Sequence, residues 1–207
     1  MTTVNFFFAR IGLQMTRILI LDGHPASGSF CGALAEEYAS NAKASGHEVR
    51  LRHLSATDFN PDFGVSRFKD APPLEPDLQA LWDDIVWCES FVIAHPLWWG
   101  GMPAKLKGFF DRVMLPGKAF QYVAGKPIPD KLLKGRTAEV LVTSDTPGWY
   151  FHWIYGAGIK KQTQKQILGF CGLKAKGYHL FSPIRGSQEQ QRAKMLSRAG
   201  ALGRRAA

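Results

Sequence analysis

Cysteine is scarce: Cys31, Cys88 and Cys171 are the only three, and they lie far apart. They form no CxxC pair and no metal-ligand spacing, so neither a disulfide framework nor a bound metal is expected, and a reducing cytoplasm suits the chain. No apolar run approaches the ~20 residues that cross a bilayer, so no membrane insertion is expected. A phosphate loop of the GxxxxGK type is missing, as is GxGxxG, which excludes the commonest nucleotide signatures. Acidic side chains are nearly missing from the last third. Residues 146–207 hold eleven Lys and Arg against a single acid, Glu189, so they carry +10 of a net charge of +9 and the rest of the chain is −1. The basic residues are spread over several elements and match no nucleic-acid-binding pattern, which argues for a solvated basic face and no nucleic-acid partner.

What is present is one domain's worth of alternating strands and helices. At 207 residues with 45% hydrophobic side chains, the chain can bury a full core. Arg17 to Asp22 is a near-continuous apolar strand of the kind covered on both faces. A helix follows from about Phe30 to Lys43, then a short strand over Glu48–Leu51. Breakers mark 53–76 as a long irregular segment. A helix over Asp77–Cys88 leads into a third strand, Phe91–Ala94, which His95-Pro96 is expected to break. Pro103 is expected at the first position of the next helix, whose apolar face is Leu106, Phe109, Phe110, Val113 and Met114. A fourth strand covers Ala138–Thr143, a helix runs from about Ile159 to Phe170, and a fifth strand at the sheet edge covers Ala175–Phe181. A last helix takes 187–200.

This alternation predicts an α/β fold: a doubly wound, five-stranded parallel sheet of flavodoxin-like type, order 2-1-3-4-5. Residues 15–186 are read as the ligand-binding domain, 187–207 as a C-terminal helix with a basic tail, and 1–14 as an extension without structure. Met15, two residues before the first strand, is the expected natural start. N-terminal sequencing of natively expressed protein checks this, and a mature chain beginning near Met1 overturns it. In such sheets ligands bind outside the carboxyl ends of the strands where the order reverses. Three loops meet there: 23–29, 95–102 and 143–148.

The first loop offers His24, Ser27 and Ser29 before a helix N-terminus, where free amides and the dipole favour an anion. An ordinary Ser29 cap is the competing reading, about as good from this loop alone. The second loop carries Trp98 and Trp99. Two adjacent tryptophans do not both enter one core easily, so at least one is expected to line the crevice. The third loop is rich in hydroxyls and precedes 149–155, in which six of seven residues are aromatic. That stretch suits a pocket wall for a planar ring, or a surface for self-association.

His24-Pro25 with Ser29-Phe30, Asp58-Phe59-Asn60-Pro61, and the run from Pro96 through Trp98-Trp99-Gly100-Gly101-Met102-Pro103 to Gly108 resemble the NAD(P)H:quinone oxidoreductase family. That family lies in the flavodoxin-like superfamily and includes modulators of drug activity and ancillary proteins of potassium efflux systems. The resemblance covers about Ile18 to Gly172. It implies a flavin whose phosphate is held by His24, Ser29, Phe30 and Cys31. Pro96, Leu97, Trp98 and Trp99 are implied along the ring, with Thr143, Ser144, Asp145 and Thr146 at its pyrimidine end. FAD is expected, with FMN the alternative, because the long 53–76 segment and its FNP motif are similar to the FAD-binding members. NAD(P)H is the implied reductant and a quinone-like molecule the acceptor, taken in turn by a ping-pong mechanism. A homodimer is expected. Docking on a cation efflux transporter as a regulatory subunit, and a flavodoxin-type electron carrier, are the alternative roles.

The chain departs from the family pattern in three places. Cys31 stands where better-known members have Asn, and Asp145-Thr146-Pro147 replaces a glycine-rich loop. The Tyr and His that assist hydride transfer have no single match, so Tyr150, His152 and Tyr155 are the catalytic candidates. A carboxylate at Asp145 would oppose negative charge on a reduced flavin unless it points away or is neutralised.

Overall fold

The computed structural model describes residues 15–206. The expected extension 1–14 lies outside them.

Five parallel strands form the central sheet: β1 (Arg17–Asp22), β2 (Glu48–His53), β3 (Ser90–Pro96), β6 (Thr137–Thr143) and β7 (Lys174–Phe181). Their order is β2-β1-β3-β6-β7, which is the expected 2-1-3-4-5. The apolar runs of β1 and β3 are buried throughout because helices cover both faces of the sheet. Alternate side chains divide into two cores. Phe91, Ile93, Val140 and Val142 pack under α2 (Pro76–Trp87) and α3 (Ala104–Val113). Ile18, Ile20, Val92, Ala94 and Leu141 pack under α1 (Phe30–Ala44) and α7 (Glu189–Arg204). The C-terminal helix therefore belongs to the folded body: Gly203 lies so close to α1 that a Cβ there would collide with the Tyr38 carbonyl oxygen.

Several boundaries differ from the expected ones. Strand β3 runs through His95 and Pro96, since His95 pairs with Val142 and Pro96 with Thr143. His95 is fully buried, and burial lowers its imidazole to about 4, so the neutral ring donates from Nδ1 to the Pro96 carbonyl at 2.9 Å. Proline is tolerated because it closes the strand. Pro103 is the N-cap of α3 and not its first residue. Strand β2 continues to His53, and its outer edge carries Arg50 and Arg52, both bonded to the buried Asp84 of α2. A short hairpin, β4 (Phe120–Gln121) with β5 (Asp130–Lys131), falls in the polar connection where no strand was expected. The helix expected over 159–170 is interrupted: α5 (Gly158–Lys161) passes into a π-helical stretch (Gln162–Leu168) before α6 (Gly169–Cys171).

The long 54–75 connection is clamped to α3 along one helical face. Lys105 Nζ donates to the Thr57 carbonyl at 2.7 Å. Gly108 lies against Pro61, whose atoms a Cβ would meet at 2.5 Å. Arg112, 2% exposed, donates to the Asn60 and Pro73 carbonyls and to both oxygens of Glu75. Phe59 enters the core. The FNP motif is thus taken up by packing on α3, and the expectation of FAD loses that support.

Candidate flavin site at the switch point

The carboxyl ends of β1, β3 and β6 meet at the switch point, and their three loops converge there. A cavity of ≈ 480 Å³ opens between the second and third loops, lined by Leu97, Trp99, Gly100, Thr146, Phe151, Tyr155, Gly158 and Ile159. That volume lies in the range of small-molecule sites.

The first loop leaves a set of backbone amides without partners among the described residues. Ser29 caps α1, its Oγ accepting the Gly32 N–H at 3.0 Å. The Ser29 carbonyl accepts from Ala33. Among the described residues, no partner occupies the N–H groups of Ser27, Gly28, Ser29, Phe30 or Cys31. A run of unsatisfied amides at the positive end of a 15-residue helix forms a cradle that can accept an anion. The cap and the anion site are therefore compatible readings, because Ser29 uses only its oxygens. His24 borders the cradle. Its ring nitrogen Nδ1 is engaged with the Ala26 backbone, and the ring meets Trp98 edge-on at 5.6 Å. Phe30 is half-buried against the α1 core. The Cys31 thiol lies inside, 2.9 Å from Thr143 Oγ1. Burial, with a smaller push from Asp22, overcomes the Thr143 hydrogen bond and lifts the thiol to about 12. The Cys31 thiol is thus engaged inside, while its backbone N–H is left without a partner among the described residues.

The second loop is a tight turn. Trp98 and Gly101 exchange both backbone hydrogen bonds, at 2.9 and 2.8 Å. Trp99 and Gly100 between them have φ of 50° and 76°, the double left-handed geometry of a type I′ turn. Gly100 adopts it freely. Trp99 does not, and its ring is fully exposed at the cavity lip. A bulky residue held left-handed without packing to repay it marks a site where the side chain is wanted for something other than stability. Trp99→Gly is expected to raise the melting temperature by a few degrees, about 1 kcal/mol of relieved strain. The same variant is expected to raise KM for the acceptor several-fold. Thermal melts and steady-state kinetics check the pair of effects.

In the third loop, Thr143 and Ser144 are buried. Ser144 Oγ accepts the Thr146 N–H at 2.9 Å and shapes the turn. Thr146 reaches the cavity. Asp145 turns outward: its Oδ1 accepts the Arg185 N–H at 2.6 Å, and the Arg185 guanidinium lies 3.7 Å from Oδ2. The carboxylate that would have opposed charge on a reduced ring is turned aside and paired.

The aromatic stretch forms a short helix, α4 (Gly148–Trp153), and the turn after it. Phe151 is buried, stacked on Tyr178 at 6.1 Å, and forms part of the cavity wall. Tyr155 lines the cavity, and Tyr150 supports it edge-on at 5.0 Å. His152 faces solvent, its Nδ1 bonded to the Gly148 carbonyl. Trp149, Trp153 and Ile154 are exposed. Of the three catalytic candidates, Tyr155 alone lies on the cavity.

A family model described as flavodoxin-like fold matches residues 16–202. The chain belongs to this family. An uncharacterized NAD(P)H oxidoreductase of Haemophilus influenzae is 27% identical over 87% of this chain and 91% of its own length. An FMN-dependent NADH:quinone oxidoreductase of Nitratidesulfovibrio vulgaris is 29% identical over 61% of this chain and 66% of its own. The solved structure of Smu.1420 from Streptococcus mutans covers 91% of this chain and 99% of that one, at 28% identity and a TM-score of 0.77.

The donor set of this flavodoxin-like chain fits a flavin. The cradle supplies neutral amide donors for a phosphate, and the cavity supplies an apolar and aromatic wall for a ring. Two residues next to the cradle escaped sequence reasoning, Asp22 and His53. The available signal was the acid that closes the apolar run of β1. No helix among the described residues is long and apolar enough to cross a membrane, and no cluster of His, Cys, Asp and Glu among them suits a metal ion.

Proposed function

We propose that this protein is a flavin-dependent NAD(P)H:quinone oxidoreductase. The observation that carries the reading is the junction of an amide cradle at α1 with an aromatic-lined cavity at the switch point. A flavin held there would supply the redox chemistry, hydride acceptance from NAD(P)H and two-electron donation to the acceptor. The chain's residues do the rest. The Phe30 and Cys31 amides and His24 hold the phosphate. Pro96, Leu97, Trp98 and Trp99 lie along the ring. Thr143, Ser144 and Thr146 shape its polar end, and Arg185 keeps the Asp145 carboxylate away from it. Phe151 and Ile159 wall one side of the cavity, and Tyr155, on its lining, is the candidate donor to the acceptor oxygen.

One cavity serves both substrates in turn, so kinetics are ping-pong, with parallel double-reciprocal lines. With the FNP motif occupied in packing and a relative named for FMN, FMN and FAD stand level. Mass spectrometry of the flavin released from purified protein decides between them. The exposed face of Trp149, Trp153 and Ile154 supports a homodimer over transporter docking, because it adjoins the cavity that a second copy would close. Light scattering of the purified protein tests that. The reading as a whole is tested by the absorption spectrum before and after anaerobic NADPH. Flavin bands that bleach, and recover with a quinone, support it. A colourless protein that takes up no flavin overturns it.

A further inference from the structure

The segment that leaves the edge strand β7 is laced to the third loop. Ser182 Oγ donates to the Thr146 carbonyl at 2.5 Å, the Ile184 N–H to the Ser144 carbonyl at 3.1 Å, and the Arg185 N–H to Asp145 Oδ1 at 2.6 Å. Thr146 lines the cavity, so the Arg185 backbone is fixed beside the cavity rim. Its side chain is not fixed. It is 90% exposed, and its approach to Asp145 Oδ2 is 3.7 Å, beyond hydrogen-bond reach. The main-chain N–H already holds Asp145 outward, and the guanidinium donates no hydrogen bond among the described residues. An ion pair this exposed is worth only about 0–1 kcal/mol, so the guanidinium is available to a stronger anion.

The charges around the mouth single out this side. Near the second loop, Lys105 donates to the Thr57 carbonyl and Lys107 is paired with Asp111. On the third-loop side, Lys160 and Lys161 follow the lining residue Ile159, and neither joins an ion pair among the described residues. Four acids occur between Phe91 and Gln188, and all are engaged. Asp111 and Asp130 pair with lysines, Glu139 is bonded to His179 and Tyr38, and Asp145 is held by Arg185. No unpaired carboxylate in this half of the chain opposes an anion at the rim.

NADH and NADPH share the nicotinamide that the cavity would take. They differ in a phosphate monoester on the adenosine ribose, about −1.5 to −2 in charge near neutral pH. We propose that Arg185 receives this 2′-phosphate at the cavity rim and makes NADPH the preferred reductant. The inference rests on the flavin reading and names which of the two nucleotides that site takes. Arginine suits the task because its planar fork matches phosphate oxygens two at a time. Lys160 and Lys161 add to the positive potential on the same side.

The test compares the two reductants on the same protein. Steady-state kcat/KM is measured for NADPH and for NADH with one soluble naphthoquinone as acceptor, and holoprotein is titrated with NADP⁺ and NAD⁺ by tryptophan fluorescence. Wild type is expected to favour the phosphorylated nucleotide roughly tenfold or more in both readouts, and Arg185→Gln to lose about tenfold of that preference, chiefly through KM. Arg185→Lys, which keeps the charge and loses the fork, is expected to fall between them. The preference of wild type is expected to shrink as salt rises, since the contact is exposed. Any disturbance of Asp145 or of the flavin acts on both nucleotides alike and cancels in the ratio. A wild type that takes NADH as readily as NADPH overturns the proposal, as does an Arg185→Gln whose preference equals that of wild type. A protein that holds no flavin, or whose flavin neither nucleotide bleaches, defeats the underlying flavin reading instead.

Discussion

Ser29→Asp is expected to strip the flavin from the protein while leaving its fold intact. Ser29 caps α1 through its side chain, which accepts the Gly32 N–H. Aspartate caps a helix as well as serine does and interacts favourably with the dipole, so α1 should lose nothing. The new carboxylate lies among the free amides of residues 27–31, where the phosphate is proposed to sit. Two unit charges about 4–5 Å apart repel by roughly 3–4 kcal/mol at the effective dielectric of a protein surface. Solvent screening at this half-buried position lowers that to about 2–3 kcal/mol, or a roughly 30- to 150-fold loss of flavin affinity. Fluorescence titration measures the affinity and a thermal melt measures the fold. A variant that keeps its flavin with unchanged affinity refutes the phosphate assignment. One that loses flavin and also melts early leaves the cradle without support from this variant.

Arg112→Ala is expected to cause the largest loss of stability of any single change discussed. Arg112 is buried and bonded to the Glu75 carboxylate at 2.7 Å and to the Asn60 and Pro73 carbonyls. Truncation leaves these acceptors without a partner and removes the tie that holds Asn60, Pro73 and Glu75 to α3. Breaking a buried ion pair from one side costs about 3–5 kcal/mol, which for a chain of this length lowers the melting temperature by roughly 10 °C. The pH dependence follows from Glu75. Burial pushes its carboxyl up, but hydrogen bonds from Arg112 and from backbone amides, with the Arg112 charge, outweigh this and hold it below its ordinary value of 4.5. A lowered carboxyl contributes stability that is present above its unfolded value and lost as pH falls through the folded one. The gap between wild type and Arg112→Ala should therefore be widest near neutrality and shrink below about pH 4.5. Denaturant titrations at several pH values read this directly. A gap that does not change with pH rules out the Glu75 pairing as its source.

The motifs that carry the family resemblance prove to serve two purposes. Leu97, Trp99 and Gly100 line the cavity at the switch point. Asn60-Pro61 and Lys105 to Gly108 face each other. A repeated pattern of residues does not tell a ligand contact from a packing contact, because both demand particular shapes at particular places. The FNP motif could be recognised in the sequence and its role could not. Asp145 teaches the same lesson in the other direction. As a residue type it threatened the site, and only the fold turns it toward Arg185, forty positions along the chain.

Local chemistry sufficed for much of the architecture. Apolar runs of strand length, helical spacing of Leu34, Ala35, Tyr38 and Ala42, and the glycines and prolines between them determined five parallel strands, their order and the crevice at the switch point. These follow from interactions between near neighbours and from the handedness of crossovers. The path of the aromatic stretch, the left-handed backbone at Trp99, the meeting of Cys31 with Thr143 and the placing of Asp22 under α1 and against His53 of β2 were decided by tertiary structure alone. Each joins residues with no local signal to connect them, and each depends on which side of a packed sheet the neighbouring element happens to fall.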